Sequence, residues 1–126
     1  MKINVRFGNN LKLEASFGGH TVKSDIPSPD GDGSAPNPFE YFISSVALCS
    51  AHYVRSFCLA RKLSLEGIEI SLEFSREADY KSTFNVKIKL PVDFPEKYKS
   101  SLLAAAQGCT VKKTIQAVPD FQISLT

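Results

Sequence analysis

The stretch from Phe39 to Ala60 constrains this chain more than any other part of it. Laid on a helix, it is apolar on nearly every face, so other elements have to cover it. Asn37 is a good N-cap, Pro38 suits the first helical position, and Glu40 can complete a capping box. The spacing therefore predicts a long central helix from Pro38 to about Lys62, with a basic end at Arg55, Arg61 and Lys62 that matches the helix dipole. Glu40, His52 and Arg55 interrupt the apolar run, which makes it a poor membrane span, and no membrane partner is expected.

The segments around this helix alternate at period two. Lys2 to Phe7 and Asn10 to Phe17 read as strands joined by Gly8-Asn9-Asn10, and His20 to Asp25 reads as a third after Gly18-Gly19. Beyond the helix, Ile68 to Phe74 and Phe84 to Leu90 form an expected antiparallel pair with one wet face. A second helix runs from Pro95 to Ala106, Gly108 interrupts it, and a shorter piece follows from about Cys109 to Ala117. Phe121 to Leu125 alternates as a last strand. This order gives an α+β domain rather than a doubly wound sheet, and the expectation is one domain over residues 1–126. Residues 24–38 hold four prolines and two glycines, which excludes regular structure. A loop of that length is either an exposed connector or a lid.

With 126 residues, one core can form without disulfide staples. The net charge of +2, spread along the chain, gives no footprint for nucleic acid. Met1 to Phe7 lacks the apolar core of a signal peptide. Three cysteines, with no C-x-x-C pair, suit a reducing cytoplasm in which a disulfide would be transient and functional.

Two cysteines could carry chemistry. Cys49 lies midway along the long helix, sharing a face with Phe42, Ser45, His52, Tyr53 and Ser56 at about 100° per residue. Taken alone, such a cysteine reads as a small core residue, although a charged His52 would lower its pKa. Cys109 follows Gly108 and opens the last helical piece, where free N–H groups, Lys112 and Lys113 favour a thiolate. The other reading is a buried cysteine at a helix break. Cys58 falls about half a turn away from Cys49 and reads as core. Glu40 has a structural explanation as the capping acid, and Arg6 reads as a surface charge on the first strand. Calcium, zinc and Cys49–His52 hydrolase readings fail on spacing or on the lack of an oxyanion hole, so no metal or cofactor is expected.

Pro36-Asn37-Pro38-Phe39-Glu40-Tyr41 leads into the helix, with Cys49 nine residues after the glutamate. Cys109 follows sixty residues later, within Gly-Cys-Thr-Val-Lys-Lys-Thr-Ile. This pattern resembles the OsmC/Ohr family of thiol-dependent hydroperoxide reductases, in its shorter OsmC-like branch. The resemblance implies antiparallel sheets around central helices, in an intertwined homodimer with active sites at the subunit interface. It also implies catalytic roles for Cys49 as the nucleophile toward organic hydroperoxides and Cys109 as the resolver, with a dithiol as reductant. Glu40 matches the acid of the OsmC-like branch, whereas the acid position of hydroperoxide-resistance members is Phe39 here. Arg6 is the one arginine before the long helix. Aromatic lining by Phe42, Tyr53 and Phe57 would favour apolar peroxides. The alternative expectation is a non-enzymatic small-ligand-binding or stress protein of the same fold with unreactive cysteines.

Overall fold

The computed structural model of the chain describes residues 1–125. Two compact units divide within the long helix, the first being Met1–Ser44 and the second beginning at Ser45.

The first unit is a three-stranded antiparallel sheet in the order β1 (Asn4–Phe7), β2 (Leu13–Phe17), β3 (His20–Ser24). Phe17 pairs with His20, so Gly18 and Gly19 are the whole turn between β2 and β3. Both have positive φ, at 52° and 79°, the hairpin geometry whose twist matches that of the strands and that glycine adopts without steric cost.

The proline-rich segment that follows is folded around Asp25, which is 1% exposed. One Asp25 carboxylate oxygen accepts from the Ile26 N–H at 2.8 Å; the other accepts from the Ser34 N–H at 3.0 Å and the Ser34 hydroxyl at 2.7 Å. Asp32 is tied in turn to Lys12 at 2.7 Å and to Asn10 at 3.2 Å. These bonds make the segment an anchored connector between β3 and the long helix.

Helix α1 spans Pro38–Ala60. Its start is a complete capping box: the Asn37 side-chain oxygen accepts from the N–H groups of Phe39 (2.9 Å) and Glu40 (3.0 Å), while the Glu40 carboxylate accepts from the Asn37 N–H at 2.8 Å. It ends two residues earlier than the pattern suggests, because Lys62 turns left-handed (φ 55°). There the Leu63 N–H returns to the Cys58 carbonyl at 2.9 Å and the Lys62 N–H to the Leu59 carbonyl at 3.1 Å, closing the helix. Within the second unit, Val46, Ser50, Val54, Phe57 and Cys58 form the buried stripe of α1, while Leu48 is 70% and Leu59 59% exposed. The expectation of a helix covered on every face is therefore not met in the second unit, where α1 buries one stripe and exposes Leu48 and Leu59.

Strands β4 (Glu69–Arg76) and β5 (Ser82–Lys89) pair antiparallel, as the alternation suggests, with ends shifted by one or two residues. Ile70 faces Ile88, Leu72 faces Val86 and Phe74 faces Phe84 on one side. Glu73–Lys87 and Glu69–Lys89 ion pairs, at 2.7 and 3.0 Å, hold the wet side. A 3-10 turn at Glu96–Tyr98 leads into α2 (Lys99–Gln107), and α3 (Thr110–Gln116) follows after a break. The core gathers Val54, Phe57 and Cys58 of α1 with Phe94, Leu102 and Ala106. Each large apolar side chain fully buried there contributes about 2 kcal/mol.

The last strand expected over Phe121 to Leu125 does not form: no residue from Val118 to Leu125 lies in regular structure. A strand is completed only by a neighbouring ladder, and this segment pairs with none among the described residues.

Candidate functional site

Gly108 creates the bend on which the site depends. A Cβ built on it would sit 3.0 Å from the Ala105 carbonyl oxygen and 3.3 Å from the Tyr53 ring, so the backbone passes here only because the side chain is a hydrogen. The next residue, Cys109, leaves helical geometry (φ −44°, ψ 117°) and becomes the N-cap of α3. Its sulfur accepts from the Lys112 N–H at 3.4 Å, the role that Ser or Asp usually fills. Cys109 is wholly buried.

Cys49 approaches from α1 and is half-buried. Burial pushes the Cys49 thiol up, but the backbone of Val111, the Cys109 thiol and the backbone of Thr110 each pull it down by favouring the thiolate. Together these groups outweigh burial and hold the Cys49 pKa below the ordinary thiol value. Cys109 is therefore one of the groups that lower the Cys49 pKa, and both cysteines are free thiols. One turn along α1, the Tyr53 hydroxyl hydrogen-bonds the Thr110 hydroxyl at 2.8 Å.

The other sequence candidates fall elsewhere. Cys58 is fully buried in the core, and burial raises its pKa against a smaller opposing pull from Arg61. His52 is not among the groups that shift Cys49: it is exposed and lines a shallow groove with Leu48, Arg55 and Ile68. Phe57 is a core residue; its ring lies against the Arg61 guanidinium, 3.8 Å from the centroid, and meets Tyr98 edge-on. In the first unit, Glu40 occupies the capping box, Phe42 stacks obliquely on Phe39 at 5.6 Å, and Arg6 is exposed opposite Glu14 on β1. The positive end of α3 acts mainly through its backbone on Cys49, where the sequence pointed to Cys109 and the lysine charges. Nothing in the sequence marks the Tyr53–Thr110 bond beyond Tyr53 four residues after Cys49 and a hydroxyl directly after Cys109. Among the described residues no three His, Cys, Asp or Glu side chains gather in a metal-holding group.

A family model described as OsmC-like protein matches residues 31–124. No curated protein matches the chain significantly in sequence. Among solved structures, the chain is similar to an OsmC-like protein from Mycoplasma pneumoniae, with 14% identity and a TM-score of 0.73 over 93% of this chain and 87% of that one. A Psychrobacter arcticus protein assigned to osmotic stress induction and detoxification response gives 18% identity and a TM-score of 0.73, over 90% and 87% of the two chains. An organic hydroperoxide resistance protein from Legionella pneumophila gives 18% identity and a TM-score of 0.56, over 92% and 90%. At these identities the likeness establishes the fold.

Proposed function

The chain belongs to the OsmC-like family, and from that premise we propose that it is a thiol-dependent peroxidase acting on organic hydroperoxides. The observation that carries the proposal is the lowered pKa of half-buried Cys49, to which the buried Cys109 thiol at the start of α3 contributes. A low-pKa thiolate beside a second thiol is the arrangement that thiol peroxide chemistry needs.

In the proposed cycle the Cys49 thiolate attacks the outer peroxide oxygen. The O–O bond breaks, an alkoxide leaves and takes up a proton, and Cys49 becomes a sulfenic acid. Cys109 then attacks the sulfenic sulfur. An S–S bond forms, the S–O bond breaks, and water leaves with the Cys109 proton. A dithiol returns the disulfide to two thiols by exchange. Glu40 enters as a candidate acid on family grounds alone. The name of the Legionella relative supports the substrate class.

We further propose a homodimer. Its support is the unpaired C-terminal segment, in which Phe121, Ile123 and Leu125 are 81%, 97% and 103% exposed. Apolar exposure of this extent marks an association surface.

Peptide mapping after one equivalent of cumene hydroperoxide, without reductant, tests the redox proposal. The expected result is a loss of two hydrogens located to a Cys49–Cys109 bridge. Unchanged thiols after prolonged exposure would overturn it in favour of a non-enzymatic binding role.

A further inference from the structure

Tyr53 touches the chain on both sides of Cys109. Its ring packs on Gly108, the residue before, and its hydroxyl bonds Thr110, the residue after, at 2.8 Å. Thr110 is also one of the two residues whose backbone lowers the Cys49 pKa. Tyr53 lies four residues beyond Cys49, so the two side chains share one face of α1, one turn apart. The same helix therefore carries the nucleophile and a clamp on the segment that holds the resolver.

We infer that Tyr53 is a positioning residue for the cysteine pair. Through Gly108 and Thr110 it fixes the start of α3, so that the Thr110 and Val111 backbone keeps favouring the Cys49 thiolate and Cys109 stays within reach of it. The inference rests on the proposed thiol chemistry for its kinetic consequence, but its electrostatic consequence stands apart. Without the clamp, that backbone withdraws and the Cys49 pKa rises toward that of an ordinary thiol. The S–S bond also forms more slowly, because Cys109 has to find the sulfenic sulfur from a wider range of positions.

The clamp has two hydroxyls and can be opened from either side. Tyr53→Phe keeps the ring on Gly108 and removes the bond; Thr110→Val removes it from the other partner; Thr110→Ser preserves it. Two quantities are read by residue-resolved mass spectrometry. One is the pH midpoint of Cys49 alkylation; the other is the ratio of dimedone-trapped sulfenic acid to Cys49–Cys109 disulfide after one equivalent of cumene hydroperoxide. Tyr53→Phe and Thr110→Val should each raise the midpoint and increase the trapped fraction by about threefold, the scale of one hydrogen bond. The double variant should match either single variant, because both remove the same bond, and Thr110→Ser should behave as the parent. Parental values in Tyr53→Phe and Thr110→Val, or additive effects in the double variant, would overturn the inference. Should the parent form neither sulfenic acid nor disulfide, the peroxidase proposal fails, and the alkylation midpoints still decide the role of Tyr53. If Tyr53→Phe fails to fold, Thr110→Val against Thr110→Ser gives the same comparison.

Discussion

The charge state of one sulfur decides whether this chain can do redox chemistry. Cys49 is opposed by burial and supported by two amides and a thiol, and the support wins. Cys58 has burial as its dominant influence, and its pKa moves the other way. Alkylation across pH should therefore modify Cys49 at lower pH than Cys58, a separation readable by mass spectrometry of the two peptides. Glu40 poses a second question at this scale, since its carboxylate caps α1 and also matches a family acid. Glutamine keeps the capping acceptor and loses the charge, whereas alanine loses both. Since Glu40 is the candidate acid of the proposed cycle, Glu40→Gln should keep the parent melting temperature and lower peroxide turnover, and Glu40→Ala should in addition lose about 1 kcal/mol of stability. Parental turnover in Glu40→Gln would leave Glu40 with the cap alone.

Among the elements, the connector between β3 and α1 is the most unusual. Proline and glycine prevent helix or strand there, yet the segment is fixed by the buried carboxylate of Asp25. Hydrogen bonds from the Ser34 side chain and backbone, resisted by burial and assisted by the Ile26 and Asp32 amides, hold the Asp25 pKa down to about 2 from 3.8. Because the folded value is depressed, Asp25 stabilises the connector fully above the unfolded value, and the effect is lost as pH falls from about 4 through about 2. Hydrogen-exchange protection at the Ile26 and Ser34 amides should fall across that window in the parent. In Asp25→Asn it should already be low at neutral pH and should not show that fall. Gly31 is confined in the same place: a Cβ there would strike the Ile26 carbonyl oxygen, so Gly31→Ala should loosen the connector at every pH.

On the scale of the whole molecule, the proposed homodimer is tested at the exposed C-terminal segment. Removing the chain after Pro119 should lower the mass measured by light scattering from that of a dimer to that of a monomer, or cause aggregation. A dimer surviving the truncation would place the interface elsewhere.

Much of this protein is legible in its residues alone. Alternation gave the β4–β5 pair, because a half-wet strand has to alternate. Asn37, Pro38 and Glu40 gave the start of α1, because capping is a local hydrogen-bond exchange among four neighbours. Cys49 and Cys109 were identified as candidates by their local contexts and by family resemblance. What couples them is tertiary: Gly108 lets the backbone pass the Tyr53 ring, and the backbone at the start of α3 acts on Cys49. No periodicity carries that information, since it depends on contacts between residues sixty positions apart. The helical wheel placed His52 beside Cys49, but a wheel gives direction along one helix and does not say which neighbour fills the space. The C-terminal strand shows the same limit. Alternation declares that Phe121 to Leu125 can pair, while pairing itself needs a ladder that no described part of the chain offers it.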